Sequence, residues 1–329
     1  MVLDALSRYA GQEPMVRGES QLPTWADEAM RRFETSLLDG LPVLKPLEIV
    51  MVLSAFSRRG YIASSEVAEA LSDAVLQHFQ KLPAAELCMV VHSGARLGLP
   101  SFTDVGCPAV SAILQHCLHA AIIFTKECSL NHLILMLHGL AKLNFQPRDE
   151  LWALLFEKMS SATPTRPNAV RLSLAMAKLD YRHMCSRSVV LQSISEGPLA
   201  ELSEDAFASL VYSLLHPFYF DRNNLLLLLL HAGSRDVHTQ SLALQLRLGL
   251  TTLFLLPGGR GQLSLVQSQH LLQLEKATSE RPGWSRQVLS RPSALQADVH
   301  LHLNAATHGM GPRIRSEVIL WPMSIDKLW

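Results

Sequence analysis

One arrangement of apolar and polar positions recurs along the first two-thirds of the chain. It reads LEIVMVLSAFSRRGY (47–61), AELCMVVHSGARLGL (85–99), NHLILMLHGLAKLNF (131–145), PNAVRLSLAMAKLDY (167–181) and AFASLVYSLLHPFYF (206–220). Each copy ends on a large apolar residue, and the ends Tyr61, Leu99, Phe145, Tyr181 and Phe220 are separated by 38, 46, 36 and 39 residues. That spacing is the length of one helix-turn-helix unit of an α-solenoid. In the third copy Leu133, Ile134, Leu137, Leu140 and Ala141 follow the i, i+1, i+4, i+7, i+8 pattern of a buried helical stripe, which predicts a helix rather than a strand.

A second helical pattern lies between copies. In SSEVAEALSDAVLQHFQKL, Ser64 or Ser65 is the expected N-cap, and Val67, Leu71, Val75 and Phe79 share one face. Pro46, Pro83, Pro147, Pro167 and Pro198 fall at the turns or at first helical positions, where a missing N–H is tolerated. The first ten residues, MVLDALSRYA, match MVLSAFSRRG at 51–60 through Met1, Val2, Leu3, Ala5, Ser7 and Arg8. The chain is therefore expected to begin inside a repeat helix, either as a fragment or as a subunit whose first repeat another chain completes.

After Phe220 the pattern changes. Two further apolar helical stretches, about 236–256 and 262–278, are divided by the glycine-rich turn LPGGRGQ, which lacks the Lys-Ser/Thr of a phosphate-cradling P-loop. The organisation expected is a helical-repeat solenoid over 1–235, capping helices over 236–280, and a linker with a short last element over 281–329. The run Leu225–Leu230 reads as a core helix buried on both sides. Six residues is far below a bilayer span, so no membrane segment is expected.

Composition agrees with helices and narrows the function. The 329 residues are 48% hydrophobic but only 6% aromatic, with a mean hydropathy of +0.17, which excludes a wholly disordered chain and disfavours an all-β one. Twenty-nine Lys and Arg balance 29 Asp and Glu, so any basic surface is local. Residues 1–40 carry seven acids against four bases, and residues 236–329 nine bases against six acids. The five cysteines, Cys88, Cys107, Cys117, Cys128 and Cys185, contain no C-x-x-C pair and point to a reducing compartment.

Three residues before the repeat ends stands a base: Arg58, Arg96, Lys142 and Lys178, with Arg8 in the partial copy and Pro217 in the last. Lys142 falls about 140° from the centre of the apolar stripe at the helical 100° per residue, and so faces out. Two readings are open. The bases form a ladder that tracks a phosphate backbone, or each complements the negative end of its own helix dipole. The aromatic ends either stack on bases or, more commonly, wedge each helix against the next. Cys107, His116, Cys117, His119, Cys128 and His132 cluster in sequence, but their spacing fits no standard zinc site, and no G-x-S-x-G elbow announces a hydrolase. No catalytic, metal or cofactor site is expected.

The last block carries a resemblance. In SALQADVHLHLNAATHGMGPRIRSEVILWPMSIDKLW, Ser293, Leu295, Gln296, Val299 and Leu303 make a short helix, a glycine-containing turn follows, and SEVILWPMSIDKLW reads as two extended segments. This resembles the opening third of a RAP domain, and the repeats before it are similar to heptatricopeptide or octotricopeptide arrays. The chain stops three residues after Asp326, so the RAP-like element is incomplete and lacks the carboxylate cluster that metal-dependent nuclease chemistry requires. The resemblance implies an organellar, usually mitochondrial, protein of RNA processing, RNA stability or ribosome assembly.

The expectation is thus an all-α fold: a right-handed α-solenoid of helix-turn-helix repeats, period about 37–39, with a short incomplete α/β RAP-like element at the C-terminus. The function expected is a non-catalytic RNA-associated scaffold in the mitochondrial matrix, a subunit of a mitochondrial ribonucleoprotein, foremost the mitochondrial ribosome or its assembly. It would contact rRNA or an organellar transcript through Arg58, Arg96, Lys142, Lys178, Arg313 and Arg315, alongside other subunits of the particle and without membrane or small-molecule substrate. The alternatives are a protein-binding solenoid without RNA contact and, behind it, an organellar RNA-processing factor.

Overall fold

A computed structural model describes residues 24–59, 63–103, 108–233, 239–255 and 263–279. The partial copy at 1–10, the RAP-like element at 293–329 and with it Arg313 and Arg315 lie outside the described residues. Within them the fold is all-α: fourteen α-helices and three short 3-10 turns, with no strand. The chain divides into two compact units, Met1–Glu196 and Gly197–Trp329, and the division falls inside the stretch read from the sequence as one array.

Among the described residues the first unit holds ten helices: α1 (Thr24–Gly40), α2 (Pro46–Arg59), α3 (Ser65–His78), α4 (Ala84–Leu97), α5 (Pro100–Thr103), α6 (Pro108–Ile123), α7 (Leu130–Lys142), α8 (Asp149–Ser161), α9 (Arg166–Lys178) and α10 (Met184–Ser195). The recurring segments are α2, α4, α7 and α9, and each packs on the next in that order. The intervening helices α3, α6 and α8 pack behind them, so the core lies between two helical layers. The predicted stripe of α7 is fully inside, with Leu133, Ile134, Leu137 and Leu140 inaccessible to solvent. Ser64 caps α3, accepting a bond from the Val67 N–H at 3.4 Å, and Val67, Leu71 and Val75 are buried as their spacing predicts.

The large apolar residue at the end of copies two, three and four has a specific local cause. Gly98, Asn144 and Asp180 take left-handed conformations at φ of 67°, 53° and 50°. The next N–H in each case, from Leu99, Phe145 and Tyr181, turns back to the carbonyl of Gly94, Leu140 and Met176 at 3.1, 3.0 and 2.9 Å. This is the Schellman stop, in which the residue after the left-handed one carries an apolar side chain back onto the helix. The base three positions earlier accordingly lies in the last turn of its helix. In the fifth copy Pro217 occupies that place, and its helix ends earlier, at Leu215.

The second unit contains α11 (Glu204–Leu215), α12 (Arg222–Ala232), α13 (Gln240–Leu255) and α14 (Leu265–Ser279). The fifth copy, α11, packs mainly on α13, with Phe207, Leu210, Val211, Leu214, Leu246, Leu250 and Leu253 in the core. Ser203 and Asp221 cap α11 and α12 by accepting from the N–H groups of Ala206 and Asn224. The leucine run corrects the sequence reading: Leu225, Leu228 and Leu229 are buried, but Leu227 is 49% exposed, so α12 buries one face rather than both.

Candidate nucleic-acid interface

Helices α4, α7 and α9 run in parallel. At their N-terminal ends the Cys88 and Cys128 sulfurs are 3.9 Å apart, and Asn168 Nδ2 donates to Asn131 Oδ1 at 2.7 Å. At the other end Lys142 Nζ donates to the Arg96 carbonyl at 3.2 Å. The negative ends of the helix dipoles therefore gather on one edge, and the bases that close each helix gather with them.

These three helices carry few acids of their own, while Asp149 and Glu150 open α8 just beyond the C-terminal end of α7. α7 and α9 contain no Asp or Glu at all, and the single acid of α4, Glu86, stands in its first turn at the far end. Arg96, Lys142, Arg171 and Lys178 face no acid on their own helices within reach. Asp180, just beyond α9, is held by Arg182 through Nε and Nη2, both at 2.8 Å.

The ladder residues differ in their settings. Lys142 and Lys178 are exposed, Arg96 is half-buried, and partial desolvation draws the Lys178 ammonium below its ordinary pKa. Arg58 is exposed on α2 and bonds back to its own helix, Nε to the Ser54 carbonyl at 3.3 Å. The contact of Lys142 with the Arg96 carbonyl is helix-end complementation between neighbouring repeats, not on its own helix. It leaves the basic edge in place, since the lysine itself is exposed.

Beneath this edge lies a pair that the sequence reading did not single out. His92 is buried in α4, His138 is half-buried in α7, and their Nδ1 atoms meet at 3.3 Å. Burial is the main cause that lowers the His92 pKa to about 4, reinforced by the charges of Arg171, Arg96 and Lys142. His138 is pushed well below the ordinary histidine range by burial, then by His92, Arg171, Lys178 and Lys142. Arg171, on α9, donates from Nη1 to Asn168 Oδ1 at 2.7 Å. Its own pKa is lowered by desolvation and then by Arg96. The signal in the sequence is a column seven residues before each repeat end: Ser54, His92, His138, Leu174 and Ser213. Polar residues recur there at an otherwise apolar helical spacing.

The other candidates are absorbed by the fold. Of the Cys and His cluster, Cys107 lies outside the described residues. Cys117 is buried, and burial raises its pKa to about 12. Cys88 is raised by its hydrogen bond with Cys128 and by burial, while that bond lowers Cys128. His116 meets the Phe79 ring edge-on at 5.1 Å, and His132 forms a reciprocal capping box with Ser129. Among the described residues no three His, Cys, Asp or Glu side chains gather as a metal site. Of the aromatic repeat ends, Tyr61 lies outside the described residues, Phe145 and Phe220 are half-buried, and Tyr181 stacks on Trp152 at 4.0 Å and 15°. That face of Tyr181 is taken by the neighbouring helix, as a packing wedge requires.

Among the described residues no helix is long and apolar enough to cross a membrane. No protein-family model matches the sequence, and no curated protein is significantly similar to it.

Proposed function

We propose that this chain is a non-catalytic, RNA-associated scaffold subunit of a mitochondrial ribonucleoprotein, foremost the mitochondrial ribosome or a particle in its assembly. The observation that supports it is the shared C-terminal edge of α4, α7 and α9, where Arg96, Lys142 and Lys178 stand in the last turns of helices that have one acid between them, at the opposite end. Phosphates are the ligand such an edge suits, because each neutralised phosphate releases condensed counterions. The finer architecture in this reading is an α-solenoid in which α2, α4, α7 and α9 line one surface, with Arg58 extending the edge. The resemblance of the C-terminal block to a RAP domain and of the repeats to heptatricopeptide or octotricopeptide arrays carries the mitochondrial part. Overall charge neutrality favours a subunit held by protein and RNA together.

A second reading has its own observation. Lys142 already serves the Arg96 carbonyl, and Val43, Leu47 and Met51 expose 83%, 51% and 69% of their surface at the start of α2 and just before it. A protein-binding scaffold would use such apolar residues. Sedimentation of the native protein before and after ribonuclease treatment separates the two. Movement with a large particle that ribonuclease disperses is the expected result; sedimentation indifferent to ribonuclease would replace the RNA reading with the protein scaffold.

A further inference from the structure

The basic edge has a titratable floor. His92 and His138 share one hydrogen bond between their Nδ1 atoms, so one of the two nitrogens carries the proton and the other accepts it in the neutral pair. Adding a second proton to the pair's outer nitrogens leaves that bond intact and places one positive charge among Arg96, Lys142, Arg171 and Lys178. With the edge empty, those four cations and the surrounding protein oppose that charge. An anion resting on the edge reverses the balance.

We propose that the edge formed by Arg96, Lys142 and Lys178, with Arg171 further back along α9, over the His92–His138 pair is a proton-linked phosphodiester site, which takes up a proton from solvent as an RNA phosphate binds. The inference rests on the RNA reading above and adds to it a location and a pH dependence.

The groups around the pair support this sign. From α4 itself come Arg96 and, six residues before His92, Glu86; from α7, Lys142; from α9, Arg171 and Lys178, with Arg166 in the first turn. On α2, packed on the other side of α4, Arg58 and Arg59 stand in the last turn and Glu48 in the first. α6 contributes His116, Cys117 and His119; of these the thiol is buried and neutral. α8 contributes Asp149, Glu150, Glu157 and Lys158 from the layer behind α7. α5 has no titratable residue. The Leu135 carbonyl already favours protonated His92, so the added proton has an acceptor. A phosphodiester does not itself titrate between pH 5 and 8, so a pH dependence in this range belongs to the protein.

The test is the affinity of the full chain for a short single-stranded oligouridylate, measured by fluorescence anisotropy at low salt at pH 7.5 and pH 5.5. Uracil does not titrate in this range. If binding restores a histidine of the pair from about 4 to the ordinary 6.5, affinity rises about tenfold on acidification. The His92→Gln, His138→Gln double variant is expected to reduce the change to under about twofold. Should that variant not fold, His138→Asn takes its place, because His138 is half-buried. Arg171→Gln is expected to weaken binding at both pH values. Binding that is equal at the two pH values, or a pH effect that survives in the histidine variants, overturns the proton-linked site and leaves the RNA reading standing. No binding at either pH at low salt overturns both.

Discussion

Gly139 of α7 lies against the backbone of His92 in α4. A methyl group on Gly139 would come within 2.9 Å of the His92 Cα and 2.8 Å of the Val91 carbonyl oxygen. These are fixed backbone atoms, so Gly139→Ala must push two helices apart rather than turn a side chain aside. The expected cost is about 1–3 kcal/mol, read as a lower urea midpoint. Gly40→Ala, where nothing lies within 4 Å, is the control and is expected to shift stability by less than about 0.5 kcal/mol. Equal effects at the two sites would contradict the close approach of α4 and α7.

The repeat stops give a prediction of opposite sign. Asn144 sits at φ 53°, a conformation that glycine adopts without the Cβ penalty. Asn144→Gly is expected to raise stability by a few tenths to about 1 kcal/mol, whereas Gly98→Val, at φ 67°, is expected to lower it by about 1–2 kcal/mol. Thermal unfolding of the two variants beside the wild type checks both.

Burial of His92 makes stability depend on pH. Its folded pKa of about 4 lies below the unfolded value of about 6.5, so the unfolded chain binds more protons between them. The stabilisation is complete above about pH 6.5 and is lost as the pH falls toward 4, to a total of about 3 kcal/mol. Urea unfolding at pH 7.5 and pH 4.5 is expected to show a smaller loss for His92→Gln than for the wild type. A wild-type chain whose stability rises over that interval on acidification would contradict the buried neutral ring.

The thiols divide by exposure. Among Cys88, Cys117, Cys128 and Cys185, the first three are buried and Cys185 is exposed. Brief treatment of the native protein with a maleimide, mapped by peptide mass spectrometry, is expected to modify Cys185 first among these four. Early modification of Cys117 would contradict its place in the core of the first unit.

Much of this was legible in the sequence, for physical reasons that differ by element. The stripe of α7 is read correctly because one helical face is buried against two layers, and the 3.6-residue period records it directly. The large apolar residue closing each repeat was visible as a pattern, but its cause was not. Gly98, Asn144 and Asp180 share no chemical class, only tolerance of the left-handed conformation, and the cap is seen once φ is known. The histidine pair escaped because the two rings are 46 residues apart and meet only when α4 and α7 pack in register. Leu227 was misread because a run of identical leucines has no period from which to choose a face.

Phosphate held by the closing bases of α4, α7 and α9 must leave its mark on the salt dependence of binding. The measurement that tests it most directly is oligouridylate affinity as a function of salt, for the wild type and for the Arg96→Ala, Lys178→Ala double variant. Single-stranded binding loses about 0.7 in the log-log slope per phosphate contacted. The account predicts a wild-type slope of about −2 to −3 and a double-variant slope shallower by about 1 to 1.5, on this same relation. A wild-type slope near zero, or one that the double variant leaves unchanged, would contradict it.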